Sequence, residues 1–364
     1  MLAMFEDKIT KLKEQIRKEK LDGIFISSVS NITYLTGYSN FSKDEREAYL
    51  LIGKDFEYLI TDGRYTEAVK KQVMHLSIFE RGQGKSIKDL FKKHKEIKTL
   101  GIEEDNLTVG EFKFIKKHFN KIKHFQVNKL RQIKNPDEII KIQKACEIGD
   151  QAFEFIVKEI KVGVSEKQIA DFLEKFIKDQ GAEISFPTIV AFGANSSIPH
   201  HQTGDKRLTI NDKLILLDFG VKYENYCSDM TRTVFLGSPS EKQIKMYETV
   251  LKAQQKAVEF LNKSIKAGKQ IKAPQVDKVD RDYIIKNGYP SIPHSLGHGI
   301  GLEVHENPHL SPKSKDILTE GMVFSIEPGI YLPNFGGVRI EDLYVFEKSG
   351  LKQITNSPEK LTII

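Results

Sequence analysis

The stretch at residues 214–237, which reads LILLDFGVKYENYCSDMTRTVFLG, constrains this chain more than any other segment. A short apolar run with one acid, Asp218, is followed by a polar turn at residues 222–225 and by a second β-rich run that opens with Asp229. Two strand-like runs joined by a few turn residues predict an antiparallel hairpin, on which the two carboxylates can converge. Converging carboxylates in apolar surroundings repel each other and lose solvation unless a cation lies between them. The stretch therefore predicts part of a metal site.

The length and composition fit a soluble globular chain of one or two domains. The chain has 364 residues, of which 39% are hydrophobic and 29% charged, and this is ample to bury a core. The net charge of +6 could indicate an anionic partner. However, the lysine-rich residues 85–98 carry Ile87, Leu90 and Phe91 at helical spacing, which predicts a solvated helix face and no nucleic-acid partner.

Targeting and redox signals are weak. The first residues lack an apolar core of signal-peptide length, and no apolar run approaches the ~18 residues that a transmembrane helix needs. The two cysteines, Cys146 and Cys227, fit no CxxC spacing and predict no disulfide framework. We therefore expect a cytoplasmic protein without a membrane partner.

Residues 1–130 alternate helix and strand patterns. A charged helix with Ile9, Leu12 and Ile16 on one face precedes several short strand patterns, the last of which is HFQVN at residues 124–128. This alternation predicts an α/β domain with a mixed sheet. No catalytic cluster or phosphate loop stands out in it.

A second domain is predicted at residues 131–364. Asn135 and Glu138 form a capping box around Pro136 and start a long helix, and a second helix runs from Ser165 to Gly181. Residues 151–163 and 256–268 match at seven of thirteen positions. Two amphipathic helices can match this well by chance. The alternative is that the domain consists of two related halves about a pseudo-two-fold axis, with a site between them.

The second half of the chain supplies further candidate ligands. His294 and His298 lie in the glycine-rich run PHSLGHGIGLEVHE, which contains His305 near its end, and Glu327 and Glu341 each lie inside a strand-like apolar run. A single histidine or glutamate in such a setting is most often a hydrogen-bonded or strand-edge residue. Only their joint presence with the two aspartates indicates a functional role for these residues.

Two aspartates, one histidine and two glutamates form an oxygen-rich set with a single nitrogen. Burying four carboxylates together without cations is very costly, and their charge is enough to neutralise two divalent ions. Such a set favours Mn²⁺, Co²⁺ or Zn²⁺, and the lack of thiolates argues against a structural zinc site. Two neighbouring metals can share a bridging water, lower its pKa and polarise a carbonyl. The pattern predicts a metal-dependent hydrolase.

The motifs DFG, SDMTRT, HSLGHGIGLEVHE, SIEPGIY and GGVRIED resemble, in order and in sequence, the M24 metallopeptidases, the pita-bread family. The proline-specific branch of Xaa-Pro dipeptidases (prolidases) and Xaa-Pro aminopeptidases is most similar, and NITYLTGYS and LITDGRYTEA resemble its N-terminal domain. The resemblance covers nearly the whole chain. It implies an α+β protein, in which a creatinase/prolidase-like α/β domain precedes a pita-bread domain with a pseudo-two-fold antiparallel sheet and flanking helices.

The resemblance also implies roles for the metal ligands. Asp218 would chelate one of two divalent ions, Asp229 and Glu341 would bridge both, and His298 and Glu327 would complete the other site, with Mn²⁺ favoured. A water shared by the two ions would attack the Xaa-Pro bond. Glu327 would also be a catalytic proton shuttle, which passes the proton of that water toward the leaving nitrogen.

The remaining implied site residues surround the substrate. His200 and His305 would be catalytic, because they match family histidines that contact the substrate and the developing oxyanion. His201 is the alternative to His200, and the family pattern favours the histidine directly after proline. His294 would line the proline pocket, and Arg339 would orient carboxylates near Glu341.

The choice between dipeptidase and aminopeptidase depends on His309. Many prolidases carry an arginine there, which suits a substrate carboxylate, whereas histidine is mostly neutral at pH 7. The HSLGHGIGLEVHE run favours an Xaa-Pro dipeptidase, and an aminopeptidase acting on longer peptides is the alternative. A metal-free binding module or small-molecule C–N hydrolase predicts substitutions among the five ligands, and the sequence has none. The family also suggests a homodimer.

Overall fold

The computed structural model describes residues 2–364, which divide into two compact units, one ending at Arg131 and the other comprising Gln132–Ile364. The helices of the N-terminal unit are α1 Leu2–Lys18, α2 Val29–Thr36, α3 Thr66–Gln72, α4 Ile87–Lys93, α5 Val109–Lys116 and α6 Asn128–Arg131. Its strands are β1 Gly23–Ile26, β2 Tyr49–Gly53, β3 Glu57–Asp62, β4 Ser77–Arg81, β5 Thr99–Ile102 and β6 Lys121–His124.

The N-terminal unit is built on a mixed sheet, as predicted. Its described strands follow the order β4-β3-β2-β1-β5-β6, and β1, β2 and β3 pair antiparallel while β4, β5 and β6 join in parallel. Ile9, Leu12 and Ile16 are buried on one face of α1, and Leu90 and Phe91 are buried on α4. The lysine-rich segment is therefore a helix with a solvated face, as its spacing predicted.

One predicted strand of this unit is misplaced. The run HFQVN was predicted as a strand, whereas β6 ends at His124, and Asn128 already begins the short helix α6. Phe125 and Val127 are both buried although they follow the strand. Their alternation imitates strand periodicity, because the chain leaves the sheet edge while still packing on the core.

The C-terminal unit contains long and short helices in pairs. Its helices are α7 Pro136–Glu159, α8 Glu166–Asp179, α9 Glu241–Lys266 and α10 Ala273–Lys286. Its strands are β7 Glu183–Ile184, β8 Ile189–Phe192, β9 Leu214–Phe219, β10 Val221–Tyr223, β11 Tyr226–Cys227, β12 Met230–Phe235, β13 Ile271–Lys272, β14 Gly297–Gly299, β15 Glu306–Leu310, β16 Ile317–Leu318, β17 Val323–Ile326, β18 Gly329–Leu332, β19 Gly336–Arg339, β20 Asp342–Glu347, β21 Gly350–Gln353 and β22 Thr362–Ile363.

Capping residues start these helices where the sequence placed them. The Asn135 side chain accepts a hydrogen bond from the Glu138 amide, and Ser165 does the same for Gln168, each within a capping box. Ser240 caps α9 in the same way. The predicted helix starts are therefore confirmed.

The unit consists of two related halves. In the first half, α7 and α8 accompany the antiparallel strands β8, β9 and β12; in the second, α9 and α10 accompany the antiparallel strands β14, β17 and β20. Each half has an apolar core, and that of the second half also includes Leu214 of β9 and Phe235 of β12. The matching segments, residues 151–163 and 256–268, begin at the same position, the sixteenth residue, of α7 and α9. The duplicated order confirms the pita-bread architecture.

The antiparallel pairing predicted in residues 214–237 is present between β9 and β12. Asp218 lies opposite Thr231, and Asp229 precedes β12 by one residue. Because alternate residues of a strand face the same side, Asp229 and Thr231 point toward the same face, diagonally across from Asp218. The two acids converge as expected, although only Asp218 lies within a strand.

The link between these strands differs from the prediction. Residues 222–225 were predicted as a turn, but Lys222 belongs to β10, and only Glu224 and Asn225 form the turn to β11, with φ of 44° and 73°. Two consecutive residues with positive φ form the tight turns that match the twist of a hairpin. A second, smaller hairpin therefore lies between β9 and β12.

No helix in the described residues combines the length and apolar composition that crossing a bilayer requires.

Candidate metal centre

A cavity of about 410 Å³ in the C-terminal unit brings together the candidate site residues named from the sequence, except for the alternative His201. They come from strands and loops of both related halves. The cavity is lined by His200, Asp218, Asp229, His294, His298, His305, His309, Glu327, Arg339 and Glu341, together with an apolar wall that includes Phe186, Pro187, Ile189 and Val304.

One imidazole faces two carboxylates in this cavity. The Nε2 atom of His298 is 3.6 Å from Asp229 Oδ2 and 3.4 Å from Glu327 Oε1. Its other nitrogen, Nδ1, lies 3.1 Å from the Gly299 carbonyl oxygen, which assigns the ring proton to Nδ1. Nε2 therefore presents a lone pair to two carboxylate oxygens, and a cation between them would make this arrangement favourable.

The carboxylates also have unsatisfied oxygens. Asp229 Oδ1 and Glu341 Oε1 are buried and have no hydrogen-bond partner among the described residues. One ligand atom each from Asp229, His298 and Glu341 lies within 4.8 Å of the others. Buried anionic oxygens without donors are costly. Carboxylate oxygens and an imidazole lone pair at this spacing suit a divalent transition metal, so the side chains fit the ions implied by the sequence.

Burial and mutual repulsion shift the proton affinities of the cluster. Burial, followed by the charge of Asp218, raises the pKa of Glu341 to about 8. Burial and the neighbouring Glu341 raise the pKa values of Asp229 and Glu327 well above the usual range. Burial, with a smaller effect of His305, lowers the pKa of His298 to about 3, so its imidazole is neutral and able to bind a metal at pH 7.

Asp218 is held differently from the other acids. Its Oδ2 accepts a hydrogen bond of 2.5 Å from Arg339 Nη2. Arg339 was predicted to orient carboxylates near Glu341, but it reaches that carboxylate only through Thr231, whose hydroxyl accepts from Arg339 Nε and donates to Glu341 Oε2. The reason is the register, because Thr231 lies opposite Asp218 and so stands between the guanidinium and Glu341.

A hydrogen-bonded chain that the sequence did not reveal continues from Arg339 to His294. Arg339 Nη1 donates to the Tyr331 hydroxyl at 2.8 Å, and that hydroxyl lies 2.9 Å from His294 Nε2. His294 Nδ1 is 2.8 Å from the Ser295 carbonyl. The arrangement has the Tyr331 O–H donating to Nε2 and the Nδ1–H to Ser295. Burial, with a smaller effect of Arg339, lowers the pKa of His294 to about 4, so this ring is neutral.

Glu327 and Glu341 stand at strand ends, not inside strands as predicted. Glu327 follows the last residue of β17, and Glu341 lies between β19 and β20. Pro328 follows Glu327 and cannot donate to a strand ladder, so β17 ends there. Both glutamates occupy points where the chain passes from one sheet to another, which turns their carboxylates toward the cavity.

Two hydroxyls that orient ligands were also missed by sequence reasoning. Ser325 Oγ lies 3.2 Å from Glu327 Oε1 and accepts from the His298 amide at 3.1 Å. Thr231 bonds Glu341 as described above. Ser325 precedes Glu327 by two residues and Thr231 follows Asp229 by two, so the alternation of side chains along a strand was the signal that could have found them.

Close backbone packing surrounds His298. A Cβ atom at Gly297 would lie 2.0 Å from the Ser325 carbonyl oxygen, and one at Gly299 would lie 2.2 Å from the Asn307 carbonyl oxygen. No larger residue fits at either position without backbone movement. The two glycines thus allow β14 to press against its neighbours and hold the imidazole in place.

The two further candidate histidines, His200 and His305, lie on loops. The ring of His305 packs against that of His298 with centroids 4.3 Å apart. Of the adjacent pair, His200 lines the cavity, whereas His201 Nε2 lies 2.9 Å from Glu166. The geometry thus favours His200 over His201 as the residue that meets a substrate.

Comparisons with known proteins match the whole chain. The sequence profile of Metallopeptidase family M24 matches residues 140–348, and that of the Creatinase/Prolidase N-terminal domain matches residues 8–133. An Xaa-Pro dipeptidase from Pyrococcus horikoshii is 39% identical over 368 residues, covering 99% of this chain and 100% of that protein. The structure of an Xaa-Pro dipeptidase from Bacillus anthracis has a TM-score of 0.89 at 36% identity and covers 99% of this chain and 100% of its own. An X-Pro aminopeptidase from Thermotoga maritima has a TM-score of 0.82 at 34% identity, over 95% and 98% of the chains.

The duplicated fold and the buried cluster of acids and imidazole define a metallopeptidase of the pita-bread class. With both profiles matched, the chain belongs to metallopeptidase family M24 and carries the Creatinase/Prolidase N-terminal domain. The family implies divalent metal ions, and the buried group of Asp229, His298 and Glu341 fits them. The resemblance seen in the sequence is therefore confirmed at the level of family, fold and enzyme class.

Proposed function

We propose that this metallopeptidase hydrolyses the Xaa-Pro peptide bond, with Xaa-Pro dipeptides as the preferred substrates. The observation that carries the proposal is the cavity in which neutral His298 faces the buried carboxylate of Asp229 and the largely buried carboxylate of Glu327. The similarity over nearly the full length to proteins named Xaa-Pro dipeptidase supports the choice of substrate.

We assign two divalent ions, with Mn²⁺ favoured, to five side chains. Asp218 would hold one ion, Asp229 and Glu341 would be shared by both, and His298 and Glu327 would complete the second site. The ions, when bound, would lower the pKa of a water and polarise the scissile carbonyl. Arg339, Thr231 and Ser325 supply the hydrogen bonds that hold these carboxylates in place, in agreement with the distances above.

Glu327 is the best candidate for proton transfer. Its carboxylate lines the cavity, 3.4 Å from His298 Nε2 and 3.9 Å from His294 Nδ1. It would take a proton from the attacking water and deliver it to the proline nitrogen, which leaves poorly until it is protonated. His200 and His305 would contact the substrate and the developing oxyanion, and His294 would line the proline pocket.

Proline explains why a dedicated enzyme is needed. An Xaa-Pro bond is a tertiary amide without an N–H, and the ring fixes φ. Peptidases that bind substrates as an added strand lose a hydrogen bond there. A site that acts through metal ions and a proton carrier does not depend on that hydrogen bond.

An Xaa-Pro aminopeptidase that acts on longer peptides is the second candidate. His309 lines the cavity and is exposed, and the family pattern has at its position the arginine that would suit a dipeptide carboxylate. The similarity to an X-Pro aminopeptidase from Thermotoga maritima is the observation in its favour. We place the dipeptidase first because its named relatives match the chain more closely.

A comparison of substrates tests the proposal. With added Mn²⁺, we expect faster release of free proline from Ala-Pro and Met-Pro than cleavage of Ala-Pro-Ala. Preference for the tripeptide would favour the aminopeptidase. Asp229→Ala is expected to lose activity, and full activity in that variant, or in metal-stripped protein, would refute the metal assignment.

The homodimer and the cytoplasmic location stay predictions, to be tested by light scattering and by fractionation of the native cells.

A further inference from the structure

His200 reaches the cavity from a long connection between β8 and β9. The connection begins with a short 3₁₀ helix, Gly193–Ser197, and the His200 ring is exposed where it lines the cavity. An exposed ring on a loop has many accessible orientations, and fixing one of them has an entropic cost. Something else must therefore hold the loop if His200 is to meet the substrate in one position.

Glu166 is the anchor of this loop. It is fully buried at the start of α8, where the helix dipole favours a negative charge. Its Oε1 accepts hydrogen bonds of 2.8 Å from the Phe192 amide and of 2.8 Å from the Asn195 side chain. Its Oε2 accepts from the Gly204 amide at 3.3 Å. One buried carboxylate thus binds both ends of the loop.

His201 connects this anchor to the cavity. Its Nε2 lies 2.9 Å from Glu166 Oε2, and the carboxylate assigns the ring proton to that nitrogen, so the imidazole donates. The His201 side chain is only 13% exposed. Since His201 points to Glu166 while its neighbour His200 points to the cavity, fixing the one ring fixes the peptide that directs the other.

We propose that the hydrogen-bonded pair of Glu166 and His201 is a positioning device for His200. The inference rests on the proposed role of His200 at the substrate. His201 acts only through the loop and is a positioning residue. Displacing a substrate-contacting group by about 1 Å can cost up to about 100-fold in rate. Loss of the pair should therefore lower kcat while leaving metal binding intact.

The experiment is a double-mutant cycle between the two histidines. We expect His201→Ala to lower kcat about tenfold on Ala-Pro, with KM changed less than about twofold and metal content unchanged. In a His200→Ala background, the same substitution should change kcat less than about twofold, because the positioned group is gone. His201→Gln, which keeps a donor toward Glu166, should recover most of the loss, and Gln202→Ala, an exposed neighbour, is the matched control.

Hydrogen exchange of the loop gives an independent measurement. Amides of residues 192–204 should exchange faster in His201→Ala than in wild type, and His201→Gln should restore their protection. An equal loss of kcat in both backgrounds would overturn the proposal, as would unchanged exchange in His201→Ala. If the wild type cleaves no Xaa-Pro peptide, the proposed function fails, and the exchange result alone then decides whether the pair orders the loop.

Discussion

Arg232 is a buried cation that fixes the segment carrying Glu341, and its replacement by methionine should cost about 3 kcal/mol of stability. Its five N–H groups all have acceptors. Nη1 donates to the carbonyls of Thr231 and Glu341, Nη2 donates to Asp342 Oδ1 at 2.5 Å and to the Ser357 carbonyl, and Nε donates to the Pro358 carbonyl. The Arg232 and Asp342 side chains are 1% and 0% exposed.

The expected loss of stability in Arg232→Met follows from the charge of Asp342, which stays buried after the arginine is removed. Removing one partner of a buried ion pair typically costs about 3–5 kcal/mol, because the other charge stays buried without compensation. Asp342 keeps hydrogen bonds of 2.9 Å from Gln254 and 2.7 Å from Thr355. These remaining donors reduce the penalty, so the lower end of the range, about 3 kcal/mol, is expected for Arg232→Met.

Urea unfolding followed by circular dichroism measures this loss. Arg64→Met is the control, because Arg64 is a 61% exposed arginine paired with Asp62, and removing an exposed ion pair should change the stability far less than removing a buried one. The double variant Arg232→Met/Asp342→Leu should be more stable than Arg232→Met alone, since it removes the orphaned charge. A loss below about 1 kcal/mol for Arg232→Met, or a double variant less stable than the single one, would refute the reasoning.

Three further outcomes are expected. Tyr331→Phe breaks the link from Arg339 to His294 and should lower kcat/KM about tenfold with unchanged metal content, measured by steady-state kinetics and elemental analysis; an unaltered kcat/KM would contradict the role of the hydroxyl. His309→Arg adds a permanent cation to the cavity and should raise the preference for Ala-Pro over Ala-Pro-Ala by up to about fivefold; no change would show that His309 does not meet the substrate carboxylate. Burial, followed by the charge of Asp277, raises the pKa of Asp280 to about 8 from 3.8. Because the folded protein keeps this proton while the unfolded chain loses it, the stability tied to Asp280 is lost as pH rises from about 4 to about 8, by at most about 6 kcal/mol. In urea titrations Asp280→Asn should reduce that fall, and an identical pH profile in both proteins would contradict it.

The candidate ligands could be recognised in the sequence because their chemistry is unusual for their surroundings. Carboxylates at positions such as Asp218 and Asp229, in runs otherwise apolar, are hard to explain without a cation. Capping boxes at Asn135 and Ser165 likewise marked helix starts through local hydrogen bonding alone. Features of this kind are determined by a few neighbouring residues and can be predicted from the sequence.

Features that depend on contacts between distant segments were missed. The Glu166 anchor joins a helix start to a loop many residues further on, and Arg232 joins a strand to the C-terminal segment. Nothing in the local sequence distinguishes Tyr331, because only the fold brings its hydroxyl between Arg339 and His294. No local spacing encodes such pairings, so Glu166, Arg232 and Tyr331 emerged only from the structure.

The direction of the chain at the candidate ligands was the other feature that could not be predicted from the sequence. Glu327 and Glu341 were expected inside strands, yet both lie where strands end. An apolar run indicates burial but does not show where the chain changes sheets. Each glutamate is only one residue away from a strand. Its position outside the strand nevertheless matters, because these turns direct the two carboxylates into the cavity.

The central claim is that Asp218, Asp229, His298, Glu327 and Glu341 together hold divalent cations. Anomalous diffraction from crystals soaked in Mn²⁺ tests it most directly. The account predicts anomalous density among these five side chains, in contact with His298 Nε2 and the carboxylate oxygens, and weaker density in Glu341→Gln crystals. A cavity without anomalous density, or manganese bound only by other residues, would contradict it.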